Sequence, residues 1–234
     1  PDLMIHRVIR GMGANSFGMA VTIVIQLVSL PLYLLYWDTA TYGTWLMLSA
    51  IPSYLSMADV GMIGAAGNKM TMALGKGDVI QANRVFHSAQ MFMGIVCGGL
   101  ALLVVPIVLW APLPWLASMD LRVALAALSI SVLVSLIGGL SDAVFKSTQR
   151  YASGTMLGTL LRLVEWLGGM IGLATIGSYP AVAISGLAVK LTGTLALMVL
   201  AQRGDHGLTW GTHWADRAEI RSTVEPAVAF MAFP

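Results

Sequence analysis

The chain has 234 residues, 57% of them hydrophobic and 10% charged, with a formal net charge of +2 and a mean hydropathy of +0.81. Soluble domains carry about 25% charged and about 45–50% apolar residues, so this composition excludes an ordinary water-soluble domain and indicates a polytopic membrane protein. The one cysteine, Cys97, lies in an apolar run, which excludes an internal disulfide and a thiolate metal cluster and leaves packing as its role.

His6-Arg7-Val8-Ile9-Arg10 forms a basic lead-in, and no cleavable signal pattern follows it. The uncharged stretch Gly11 to Trp37 predicts a first span with its core at 14–36. A second span is expected from about Thr44 to Gly67, with Pro52 as a kink. Gly75-Lys76-Gly77-Asp78 reads as a turn, and Asp78 with Gln81 suits a capping box opening a short amphipathic helix. The third span runs from about Met91 to Trp110 and stops at Ala111-Pro112-Leu113-Pro114-Trp115. Spans four, five and six follow at about Val123 to Val144, 153–177 and 181–201. The expected organisation is a six-helix transmembrane lobe over 1–202, a linker over 203–224, and the start of a seventh helix over 225–234. Because the first residue is Pro1 and the apolar run Ala227 to Phe233 is too short to span, the chain reads as a fragment.

Lysine and arginine in loops set orientation. The N-terminus and the 68–90, 145–152 and 203–225 segments hold ten basic residues, whereas the alternate connectors hold only Arg122. A cytoplasmic N-terminus follows as the expectation. Tyr36, Trp37, Tyr42, Trp45, Trp110, Trp115 and Tyr179 fall at the opposite boundary, where an interfacial aromatic belt is expected.

Helical spacing gathers polar residues into stripes. Span one offers Asn15, Thr22, Gln26 and Ser29; span two Ser49, Ser53, Ser56 and Asp59; span four Ser131, Ser135, Gly138 and Asp142. Span three has Gly94 and Gly98, a spacing that lets membrane helices approach closely. Packing alone accounts for most of these. Spans five and six differ, because Arg162, Glu165 and Lys190 stand near their middles among glycines. A charge at the centre of a bilayer helix costs at least about 2.5–3.5 kcal/mol, so such residues face an interior and have a task. At about 1.5 Å per residue, Arg162 and Lys190 each lie roughly 14 Å from opposite ends. Arg162 and Glu165, three apart, are expected to pair, which leaves Lys190 for Asp59 or another group. A cationic patch in a wet cavity suits an anionic cargo, and a purely structural ion cluster is the bland alternative. Asp59, expected near the cytoplasmic face, is a candidate for coupling or gating, or for capping a neighbour; Asp142 reads as solvated.

His6, His87, His206 and His213 lack paired carboxylates and metal-ligand spacing. There is no Walker-type loop, and no acidic pair on the outer side. Neither an enzyme nor a cofactor is expected. Any energy would come from an H+ or Na+ gradient or from the cargo's own gradient.

Gly13-Ala14-Asn15, Gln26-Leu27-Val28-Ser29-Leu30-Pro31-Leu32, Tyr42-Gly43-Thr44-Trp45-Leu46, Ala58-Asp59-Val60-Gly61 and Gly77-Asp78 together resemble the opening of the bacterial polysaccharide flippases, O-antigen and capsule type, of the MOP superfamily. The usual Asp-Leu-Gly reads Asp59-Val60-Gly61 here. The resemblance implies the N-terminal lobe of a twelve-helix, MATE-like transporter in the bacterial inner membrane. It implies a cargo of undecaprenyl-pyrophosphate-linked oligosaccharide moved by alternating access for surface polysaccharide biosynthesis. Arg162 and Lys190 would meet the pyrophosphate, Glu165 would set geometry or exchange a cation, and Asn15 and Gln26 would face the glycan. Partners would be the lipid-linked oligosaccharide, membrane lipids and other polysaccharide assembly proteins, with no nucleic acid. The alternatives are a MATE-like ion-coupled multidrug antiporter, which calls for a predominantly acidic cavity, and a membrane glycan polymerase, which calls for a large outer loop. A non-transporting assembly subunit would make the buried charges dispensable.

Overall fold

A computed structural model describes residues 2–204 and 207–232. The described residues form α helices and no strand: α1 (Asp2–Tyr36), α2 (Thr39–Ser53), α3 (Met62–Gly75), α4 (Val79–Trp110), α5 (Met119–Ser147), α6 (Tyr151–Thr175), α7 (Tyr179–Gln202) and α8 (Arg217–Ala232). Six stretches are long and apolar enough to cross a membrane: α1 from Arg10, the Thr39–Gly75 stretch, and α4 to α7. The protein is a multi-pass, all-α membrane protein built as a six-helix bundle.

Local chemistry sets the boundaries. Asp38, Asp78, Ser118 and Ser178 each accept a backbone N–H from three residues ahead, starting α2, α4, α5 and α7. Bonds from Thr41, its side chain foremost, hold the Asp38 carboxyl below the usual carboxylate range. The turn expected at Gly75–Asp78 is present. Gly77 takes a left-handed φ of 74°, and the Asp78 and Gly77 N–H groups close back on Ala73 and Leu74. Asp78 caps as expected, but Gln81 does not complete a box; its side-chain amide donates to Glu219 at 3.1 Å instead. Nor is the helix it opens short. It runs unbroken into the third span as the 32-residue α4, since no glycine or proline interrupts Val79 to Phe92.

The second span is longer than expected and broken in the middle. Pro52 cannot donate to the Leu48 carbonyl, α2 ends one residue later, and a 3-10 turn over Tyr54–Asp59 follows. Val60 and Gly61 then adopt left-handed φ values of 49° and 75° before α3 begins. A β-branched residue there is strained. Asp59 stands at this break near mid-span rather than at an end, and its carboxylate accepts the Ile63 N–H at 2.9 Å, capping α3.

α5 is the central helix, packing on α2, α3, α4, α6 and α7, whereas α1 lies mainly against α6. Half of α5's apolar window is buried against 6% of α1's, so α1 is the peripheral wall. We name the two ends by composition. At the basic end, Met70, Phe86, Met93, Cys97 and Phe145 share one core, which gives Cys97 its packing role. At the aromatic end, Tyr33, Trp37, Trp45, Leu116 and Leu125 share the other. The expected aromatic belt therefore divides. Tyr36, Trp110 and Trp115 are exposed, but Trp37 and Trp45 are buried, and Tyr42 and Tyr179 are half-buried with them. The reason is polar anchoring: the Trp37 indole donates to the Gly177 carbonyl and Tyr179 to Thr41 O at 3.0 Å, so these rings plug the end of the bundle.

The helix approach expected at Gly94 and Gly98 is also absent, because both face open space. Close approach occurs between α6 and α7, where a Cβ on Gly172 would lie 2.5 Å from the Ala181 carbonyl oxygen. Past α7, residues 207–216 do not behave as a linker. They strap across α4, burying Leu208 and setting Trp210 edge-to-face with Phe86 at 4.9 Å between ring centres. Asp216 then starts α8, accepting the Ala218 N–H at its carboxylate and the Ile220 N–H at its carbonyl. The seventh helix thus begins at Arg217 rather than Glu225; its first turns are polar, so hydropathy hid them.

Candidate functional site

The mid-membrane charges come from two neighbouring helices. α6 and α7 pack tightly near the aromatic end through Gly168, Gly169 and Gly172. Toward the basic end they line a cavity of about 480 Å³ with α3 and α5. Gly64 and Gly158 border it with no atom within 4 Å of where a Cβ would lie, which keeps the space open. The lining runs from Lys146 and Tyr151, both exposed at the basic end, inward to Arg162, Glu165 and Lys190. A second cavity of about 260 Å³ lies on the aromatic side of Arg162 and Glu165, bordered by Tyr33, Ser131, Trp166 and Gly186. Arg162 and Glu165 therefore stand between the two spaces.

The pairing within this group differs from the sequence expectation. Glu165 Oε1 lies 2.8 Å from Lys190 Nζ, joining α6 to α7, and no Arg162–Glu165 bridge forms. The side chains are 25% and 16% exposed, so the pair is shielded but within reach of the cavity. Ser131 of α5 donates to the same carboxylate oxygen at 3.4 Å. Arg162 instead donates to Thr22 Oγ1 of α1 at 3.0 Å. Lys190, expected to lack a local partner, is the one that is neutralised. Among the described residues, Arg162 has no carboxylate partner. The i,i+3 spacing was compatible with an Arg162–Glu165 pair, but α7 brings a second cation to the same carboxylate, and α1 offers Arg162 a hydroxyl.

The span-one stripe is a seam with α6. Asn15 accepts from Tyr151 at 3.2 Å, Thr22 from Arg162, and Ser29 from the Trp166 indole at 2.8 Å. Asn15 thus reaches the cavity only through Tyr151. Gln26 is exposed on α1, borders neither cavity and makes no hydrogen bond among the described residues. Asp59 borders neither cavity either. The serines of span two close on their own helix: Ser49 on Trp45 O, Ser53 on Ala50 O and Ser56 on Ser53 O.

Several cavity residues were given no site role from sequence. Asp142, read there as solvated, faces the cavity, as do Lys146 and Tyr151. The four-residue step from Asp142 to Lys146 is a usable signal. Lys146 nonetheless turns to Asn68 at 2.9 Å, and Asp142 forms no ion pair among the described residues. Cations at Lys146, Arg162 and Lys190 against carboxylates at Asp142 and Glu165 leave the lining net positive by one. It can attract an anion and donate to phosphate-like oxygens through a guanidinium fork and an ammonium.

The histidines lie elsewhere. His87, in the 68–90 segment, is fully buried on α4 with its ring 4.6 Å from that of His213. No cluster of three or more potential metal ligands exists among the described residues. His206 lies outside the described residues, as does the side chain of His6.

No family model, no curated protein and no solved structure matches this chain.

Proposed function

We propose that this chain is the first lobe of a flippase that carries undecaprenyl-pyrophosphate-linked oligosaccharide across the bacterial inner membrane by alternating access, in surface polysaccharide assembly. The observation that carries this reading is the net-positive cavity with Arg162 and Lys190 at mid-depth between α6 and α7. Cations at that depth are costly, and a pyrophosphate headgroup gives them a task. The resemblance of the first hundred residues supports the same reading. The net-positive lining favours it over an antiporter for cationic drugs. The N-terminus and the basic end would then face the cytoplasm, in keeping with the loop charge.

The test is complementation. The gene encoding this chain is placed in a host lacking its own polysaccharide flippase, and surface glycan is compared for wild type, Arg162→Ala and Lys190→Ala at matched membrane abundance. Restoration by wild type with failure of both variants supports the reading. Full restoration by both variants would make the charges structural and sink the site assignment.

A further inference from the structure

The ion pair in the cavity raises a question that the cation count alone does not answer. A headgroup that reaches both mid-depth cations must also be able to leave them. Resting on the reading of the cavity as the headgroup site, we infer that Glu165 is a displaceable counter-ion that holds Lys190 between ligands and gives way only to a headgroup with charge enough to reach both cations.

Three contacts support this. Glu165 Oε1 holds Lys190 at 2.8 Å, so one of the two mid-depth cations is occupied before any ligand arrives. Arg162 is exposed and bonded only to the neutral Thr22 hydroxyl at 3.0 Å, so the other is available. Ser131 donates to the same Glu165 oxygen at 3.4 Å, and Glu165 also borders the 260 Å³ cavity, so a displaced carboxylate has a donor and room to move.

The charge arithmetic then discriminates between ligands. A phosphodiester headgroup with one negative charge satisfies Arg162 and leaves Lys190 with Glu165. Such a ligand cannot repay rupture of the pair, because losing one partner of a shielded ion pair strands the other. A pyrophosphate carries at least two charges and reaches both cations. Lys190 exchanges Glu165 for a phosphate oxygen, and Glu165 retires to Ser131. As the cargo leaves, Glu165 closes again on Lys190, which lowers the cost of release. Glu165 is thus a positioning residue that moderates the hold on a polyvalent headgroup, which must displace it, more than the hold on a monovalent one, which does not.

The experiment measures binding of two probes, farnesyl pyrophosphate and dioctanoylphosphatidylglycerol, to the protein purified in detergent, with size exclusion confirming a monodisperse fold. Wild type is expected to prefer the pyrophosphate. Glu165→Gln should tighten the pyrophosphate about tenfold, equivalent to about 1.4 kcal/mol, and tighten phosphatidylglycerol less, because only the pyrophosphate has to displace Glu165, so that the selectivity ratio widens. Ser131→Ala, a milder change, should weaken the pyrophosphate more than the phosphatidylglycerol, and it carries the test if Glu165→Gln does not fold. An unchanged selectivity ratio in whichever of these variants is folded overturns the inference. Arg162→Ala separates the two levels. If it weakens both probes while the ratio in Glu165→Gln stays at the wild-type value, the site stands and the counter-ion role falls. If it moves neither probe, the headgroup site itself falls.

Discussion

Lys69 of α3 places its ammonium 2.7 Å from Glu219 of α8, and Ser222 and Thr223 receive its bonds at 2.9 and 2.8 Å. One side chain thereby gives all three of its protons to the first two turns of another helix. Lys69→Met should detach the start of α8 while leaving the bundle assembled, because Glu219 then keeps only Gln81. Losing charge-assisted bonds of this kind costs about 1.5–3 kcal/mol. Amide exchange across 217–225 should accelerate by about tenfold or more, with α5 unchanged. Equal protection in the variant would show that α8 is held by other contacts.

A second prediction concerns the strap. His87 Nε2 donates to the Thr209 carbonyl at 2.8 Å, and Nδ1 accepts the Trp214 N–H at 3.2 Å, which fixes one neutral tautomer. Neighbouring side chains complete the docking: Asn83 bonds Gly207 O and the Thr209 N–H, Gln90 the Gly211 N–H, and Ser88 the Asp216 N–H. His87→Phe preserves the ring and removes both of its bonds, leaving the Trp214 N–H unpaired. About 1–3 kcal/mol of local stability should be lost. Trp210 and Trp214 fluorescence should shift to the red without loss of far-UV helix signal; unaltered emission would contradict the assignment.

Arg122, the lone cation of the alternate connectors, acts on backbone. Its guanidinium donates to the carbonyls of Val108, Leu109, Ala111 and Leu116 at 2.7–3.3 Å, closing the end of α4 over the proline-rich break. Arg122→Leu should cost about 2–3 kcal/mol and lower the apparent Tm in detergent. Arg122→Lys should recover less than half of that loss, since an ammonium cannot span four carbonyls as a planar fork does.

Glycine substitutions separate packed positions from open ones. Gly172→Ala drives a methyl against the Ala181 backbone and Ser185, so α6 and α7 must part. Overpacking of this kind costs about 1–3 kcal/mol. Gly98→Ala meets nothing within 4 Å and should stabilise α4 by about 0.5–1 kcal/mol through helix propensity. Thermal unfolding of the two variants side by side checks both signs, and a destabilised Gly98→Ala would restore a packing role for that position.

The fold was legible where hydropathy alone decides. Six apolar runs gave six spans, and Asp78 marked the start of α4, whereas the caps at Asp38, Ser118 and Ser178 emerged only from the structure. The polar stripe of Asn15, Thr22 and Ser29 on α1 could be read from its spacing, but that it meets α6 could not. What escaped was set by tertiary partners. Sequence spacing pairs Arg162 with Glu165, but only packing of α7 reveals that Lys190 reaches the carboxylate first. Trp37 and Trp45 look interfacial by position, and the carbonyl of Gly177, far along the chain, draws Trp37 inward. The strap was hidden for a similar reason. Its docking uses side chains on α4 against backbone groups of 207–216, and such pairings leave no periodic trace in either segment.

The length of α4 has a bearing on how the bundle sits in its bilayer. Thirty-two helical residues reach about 48 Å, against a hydrocarbon thickness of about 30 Å. The surplus falls on Val79 to Gln90, where Asn83, His87, Ser88 and Gln90 are already committed to the strap. This part of the helix is a fixed pedestal and cannot be drawn into the lipid without breaking those bonds. A thicker membrane must therefore thin around the protein rather than recruit more of α4, so the strap doubles as a depth stop for the whole bundle.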